Sequence, residues 1–89
     1  MSVSRDEVMT RVLGIVADQL GKEYDEVAEV VGARTDIPLD LLGVDELEHF
    51  ELMMNIEESF ECEISDADAE GLLTLGALTD YLVECKERS

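Results

Sequence analysis

Basic residues are scarce in this chain. Six Lys and Arg stand against 23 Asp and Glu, a formal net charge of −17. Such a field repels phosphate backbones and anionic lipid surfaces, so neither nucleic acid nor membrane is expected as a partner. Basic protein surfaces are favoured, because opposite fields speed encounter. The same acidity keeps a small protein soluble, and its self-repulsion predicts a fold that salt or divalent cations stabilise.

Cysteine is also sparse. Cys62 and Cys85 form no CxxC and match no metal-ligand spacing. Free thiols in a reducing compartment are expected, with a disulfide between the two left open. His49 is the sole histidine. No cysteine or second histidine is placed to complete a metal site with it, so it reads as a helix surface residue. No Ser-His-Asp or Cys-His set appears, and no carboxylates are placed as a buried pair suited to acid–base work. The chain is therefore not expected to be an enzyme. The opening stretch MSVSRDEVMTRV lacks the apolar run of a signal peptide, and no segment reaches the length of a membrane span. A cytoplasmic protein is expected. Alternating runs long enough for a sheet, internal repeats and low-complexity segments are absent as well.

What remains is a chain of 89 residues, 46% of them hydrophobic. That length suits one domain, residues 1–89, expected as a monomer, and that apolar content argues against disorder. The stability available to so small a core is roughly 5–10 kcal/mol.

The pattern is helical. Ser4 to Glu7 has the S-x-x-E form of a capping box, and Val8, Val12, Ile15 and Val16 follow at helical spacing, with Leu13 and Leu20 widening the stripe. Gly21 is a natural stop, which predicts a first helix over Arg5 to Leu20. From Gly21 to Leu42 the pattern loosens around Gly21, Gly32 and Pro38. A long loop is expected there, with a short helical turn over Glu26 to Val31. Val27, Val30, Val31, Ile37, Leu39, Leu41 and Leu42 are available to pack it down. The next helix is predicted over Glu46 to Ser59, capped by Asp45. Leu47, Phe50 and Met54 are read as its apolar stripe, flanked by Met53 and Ile56, with Phe60 just past the end. A short helix over Ala67 to Leu72 follows Ser65, and Thr74 caps a last helix over Leu75 to Lys86 with Leu75, Leu78, Leu82 and Val83 on its inner face. The fold class is all-α, a small four-helix bundle with a long loop between its first two helices.

The stretch GVDELEHFELMMNIEESFECEISDADAE, from Gly43 to Glu70, resembles the central region of acyl carrier proteins. In that family a Gly-x-Asp-Ser-Leu motif opens the second helix, and here Gly43, Asp45 and Leu47 match it. Glu51-Leu52, Glu57-Glu58-Ser59-Phe60 and Ile64 fit later positions in order. TLGALTDYLV is similar to the family's last helix and VLGIVADQLG to the end of its first. The resemblance covers nearly the whole chain, with a few extra residues around Val30 to Pro38.

In the family the serine after the aspartate carries 4'-phosphopantetheine, whose thiol holds an acyl group as a thioester. Glu46 stands at that position here. A carboxylate has no hydroxyl to attack coenzyme A, so no cofactor is expected. The serines Ser2, Ser4, Ser59, Ser65 and Ser89 lie elsewhere in the pattern. Three readings of Glu46 stay open: a helix-compatible residue filling a lost site, a mimic of the phosphodiester's negative charge, or a residue introduced into the sequence. The resemblance further implies that Asp45, Glu48, Glu51, Glu57 and Glu58 face a basic patch on a partner, such as an enzyme of lipid or polyketide assembly. The expected function is a non-catalytic binding module docking through this acidic helix. A working carrier of acyl thioesters is the alternative.

Two further patterns are weaker. Asp66-Ala67-Asp68-Ala69-Glu70-Gly71 echoes the start of an EF-hand loop, but the twelfth position, which needs a bidentate Glu, is Ala77. No metal site is expected. Met53 and Met54 read as core filling.

Overall fold

The computed structural model describes residues 4–34 and 36–88. Among them run five α-helices, α1 (Arg5–Leu20), α2 (Tyr24–Val31), α3 (Glu46–Phe60), α4 (Asp66–Gly71) and α5 (Leu75–Arg88), with a 3-10 turn over Leu39–Leu42. No strand occurs among the described residues; an isolated antiparallel bridge joins Pro38 to Thr74.

The helix ends follow from caps written in the sequence. The Ser4 hydroxyl accepts from the Glu7 N–H at 3.4 Å. Gly21 closes α1 in the left-handed region, φ 67°, where a Cβ would be strained. Ser65 accepts from the Asp68 N–H at 3.1 Å and Thr74 from the Ala77 N–H at 3.1 Å. The helical turn expected over Glu26 to Val31 is a full helix from Tyr24. At its start Glu26 Oε1 accepts from the Glu23 N–H at 3.2 Å, and Val27 and Val31, one turn apart, bury its inner face.

α1 packs against α2, α3 and α5. Val8, Val12, Leu13, Val16 and Ala17 of α1 meet Leu52, Met53, Ile56 and Phe60 of α3 and Leu75, Leu78 and Leu82 of α5 in one cluster. Ile37, Leu39 and Leu42 bring the long loop into it, while Val30 and Leu41 stay exposed. The loop is also tied by its backbone. The Leu39 N–H donates to the Leu73 carbonyl and the Leu75 N–H to the Ile37 carbonyl, both at 2.9 Å. Polar side chains set α3 on α1. Gln19 Nε2 donates to the Glu48 carbonyl at 2.8 Å, Asn55 Nδ2 donates to Gln19 Oε1 at 2.9 Å, and the Arg11 guanidinium lies 4.1 Å over the Phe60 ring.

Two expectations are corrected. Leu47, Phe50 and Met54, read as the inner stripe of α3, are 71%, 44% and 66% exposed. The set Leu52, Met53, Ile56 and Phe60 is buried instead. Both sets have helical spacing, and the aromatic Phe60 with three neighbours at i−4, i−7 and i−8 offers the larger area to the core. Cys62 and Cys85, expected as free thiols, form a disulfide. The C-cap of α3 turns the chain so that Cys62 points inward, and its Cα lies 6.4 Å from that of Cys85 on α5, within bridging range.

Candidate functional site

The site is the start and outer face of α3. Gly43, with φ 100°, makes the turn that buries Val44 and releases the chain into the helix. A Cβ there would sit 3.6 Å from Leu20 Cδ1 and would be strained by the backbone alone. Asp45 then caps α3. Its carboxylate accepts from the Glu48 N–H at 2.8 Å, and Glu48 Oε1 accepts from the Asp45 N–H at 3.2 Å. Two orphan donors of the helix start are thereby satisfied. Glu46 is the first helical residue and is exposed. Its charge faces the positive end of the helix dipole, a favourable term of about 0.3–1 kcal/mol.

Beside Glu46 runs a groove of about 690 Å³. Pro38, Leu39 and Val44 line it together with His49, Phe50, Leu73, Glu70 and Thr74. His49 is half-buried rather than a free surface residue. Its Nε2 lies 2.8 Å from the Ala69 carbonyl; a carbonyl only accepts, so the proton sits on Nε2. This bond pins α4 to α3 and holds the groove's shape.

The five carboxylates expected on the docking helix do not share one environment. Asp45, Glu51 and Glu58 are exposed, whereas Glu48 and Glu57 are half-buried. Glu48 is turned back into the cap, which leaves less of it for a partner. Leu47, Phe50 and Met54, at i, i+3 and i+7, run between these acids on the outer face. The sequence carried the signal for this: a second apolar set on the same helix, Leu52, Met53, Ile56 and Phe60, already fills the inward side.

At the far end of α3, Met54, Glu57, Glu58, Glu61, Cys62 and Glu63 line a shallow recess of about 420 Å³. Tyr81 lies near it. Its hydroxyl proton is shared between the Glu63 carbonyl at 3.0 Å and Asp68 Oδ2 at 3.1 Å. Burial, then the hydrogen bond and charge of Asp68, raise the Tyr81 pKa above the ordinary tyrosine value of 10.0.

Asp66, Asp68 and Glu70 stand on α4, and no group of three ligands able to hold a metal ion occurs among the described residues. Ser4 and Ser65 are spent as helix caps and Ser59 accepts from Arg11, all away from Glu46. Ser2 and Ser89 lie outside the described residues.

Two comparisons bear on this arrangement. The family profile described as "Phosphopantetheine attachment site" matches residues 10–82. The solved structure of the acyl carrier protein from Enterococcus faecalis, a protein of high thermal stability, is similar at 32% identity and a TM-score of 0.63, over 93% of this chain and 99% of that one. Domains of this kind are carriers rather than catalysts, normally bear 4'-phosphopantetheine, and work with partner enzymes of synthase pathways. On a profile match spanning most of its length and a backbone shared with a solved member, this chain belongs to the acyl carrier protein family.

Proposed function

We propose that this chain is a non-catalytic binding module. It docks through α3 onto a basic surface of an enzyme of lipid or polyketide assembly, and it holds no phosphopantetheine arm at position 46. The observation that carries this is the outer face of α3, where apolar Leu47, Phe50 and Met54 lie among Glu46, Glu51 and Glu58. An apolar centre with a charged rim is the composition of a docking patch. The rim sets encounter rate and orientation, and the centre supplies buried area.

The chemistry of position 46 does not fit the arm. Transfer from coenzyme A needs an alcohol that loses its proton as it attacks the pyrophosphate. A carboxylate in that role would give a mixed anhydride with phosphate, which water cleaves readily. The hydroxyl that lines the neighbouring groove belongs to Thr74, and it already accepts from the Ala77 N–H. No step is therefore assigned to the arm here. A working carrier is the second reading, favoured by the match to the attachment-site profile.

One measurement separates them, and a second tests the docking itself. Incubation with coenzyme A and a phosphopantetheinyl transferase, read by intact mass, is expected to leave this chain unchanged and to load the Glu46→Ser variant. A gain in mass by the unaltered chain would refute the first reading and establish the second. Partner recovery on the immobilised chain is expected to fall at least about tenfold in Glu51→Lys/Glu58→Lys, since each reversal exchanges attraction for repulsion. Equal recovery by both forms sinks the docking claim.

A further inference from the structure

Both phenylalanines of the chain stand on α3, in opposite circumstances. Phe60 is buried, and the Arg11 guanidinium lies 4.1 Å over its ring. Arg11 Nη2 donates there to the Ser59 carbonyl at 2.9 Å and to Ser59 Oγ at 3.1 Å. A ring and the oxygens beside it thus hold one guanidinium. Phe50 has a ring and oxygens too, but no cation. It is 44% exposed, with the His49 ring set edgewise at 6.1 Å between centroids. It lines the groove beside Glu46 and also a second hollow of about 490 Å³, which it shares with Asp45, Glu46 and Leu47. Asp45 and Glu46 line both hollows, and no Lys or Arg lines either. Lys22 Nζ, which would meet a Cβ on Gly43 at 3.5 Å, is outside both linings.

We propose that Phe50, Glu46 and Asp45 receive an arginine side chain of the docking partner, and that they select arginine over lysine. This rests on the docking reading and names the residue that the partner brings. The occupant follows from the lining. An exposed ring and apolar Leu47 and Leu73 offer a dry surface, and the acids beside them call for a cation. Asp45 Oδ1 and Glu48 Oε1 are engaged in the helix cap, and Glu46 stands outside that pair of bonds. A serine at this position would present one neutral oxygen. Glutamate presents two charged ones, the geometry that a guanidinium fork meets with two parallel hydrogen bonds.

The selectivity comes from shape and hydration. A guanidinium is planar and weakly hydrated, so it lies on a ring face while its edge N–H groups reach the carboxylates beside the ring. An ammonium is a compact, strongly hydrated point charge that cannot make both contacts in one pose. The methylene stem of either residue covers the same leucines and does not discriminate. Arginine is therefore expected to bind about threefold or more tightly than lysine. Replacing the ring by an aliphatic side chain removes the cation–π attraction, a loss of about two- to fivefold.

The test titrates three acetylated and amidated tripeptides, Leu-Arg-Leu, Leu-Lys-Leu and Leu-citrulline-Leu, into the whole chain at low salt. NMR follows the Phe50 ring and the Glu46 amide. The arginine peptide is expected to shift both signals saturably, the lysine peptide to bind about threefold or more weakly, and the neutral citrulline peptide not to saturate. This comparison needs no variant, so it stands whether or not a substitution folds. In Phe50→Leu the arginine peptide is expected to weaken about two- to fivefold, and in Glu46→Gln its preference over lysine is expected to narrow. Equal affinity for the arginine and lysine peptides overturns the proposal. So does unchanged affinity in Phe50→Leu, or shifts centred on Glu57, Glu58 and Glu61 instead. The docking reading fails separately: a partner lost by Glu51→Lys/Glu58→Lys but recovered in full by Phe50→Leu leaves docking in place and overturns the arginine receptor.

Discussion

Two leucines five residues apart on α3 have opposite tasks. Leu52 is fully buried, and Leu47 is 71% exposed beside Glu46. Leu52→Ala removes core contacts and leaves a cavity, so a loss of about 2–5 kcal/mol is expected in urea unfolding, a large part of what a domain this size holds. Leu47→Ala should change the same measurement by about 0.5 kcal/mol or less while weakening partner binding. Equal losses at the two sites would mean that the face of α3 has been assigned wrongly. The neighbouring Glu46 is in a similar position to Leu47: its side chain reaches solvent, and the helix dipole makes its charge welcome there. Chemistry rather than folding distinguishes it from serine.

At the scale of elements, α1 and the start of α3 were legible because short polar caps precede apolar periodicity. Ser4, Asp45, Ser65 and Thr74 all stand where their hydroxyl or carboxylate meets a helix donor. α2 is only partly legible because Gly21 and Gly32 bracket it and its N-cap is a glutamate, Glu23, outside the usual short polar set. The facing of α3 is not legible in the sequence because two apolar sets share one helix, and periodicity alone does not rank them. Which set turns inward depends on α1 and α5, through contacts distant in sequence. The pairing of Cys62 with Cys85 was illegible for the same reason: a separation of 23 residues says nothing of distance until α5 folds back. That bond closes the chain segment holding α4 and most of α5. Cys62→Ala/Cys85→Ala is expected to lower the unfolding free energy by about 2–4 kcal/mol, read as a lower thermal midpoint, because the open chain gains disorder when unfolded. An unchanged midpoint would show that α5 is held by Leu75, Leu78 and Leu82 without help.

Over the whole molecule the charge of −17 is distributed on a body whose described extents are 32 × 25 × 19 Å. Charge of one sign at this density opposes compaction. The thermal midpoint is expected to climb by several degrees between 10 mM and 150 mM salt as repulsion is screened, and a flat profile would place the balance elsewhere. The acidity is legible at this scale from composition, whereas the apolar strip on the outer face of α3 is not. An oily strip on a surface ordinarily invites two copies to stick. Here every such meeting sets two strongly like-charged bodies against each other before their leucines touch. Light scattering in dilute buffer should therefore return a positive osmotic second virial coefficient. If α3 docks as proposed, strip and field together would act as a sieve on the crowd around the molecule, turning away its twins and admitting strangers of opposite sign.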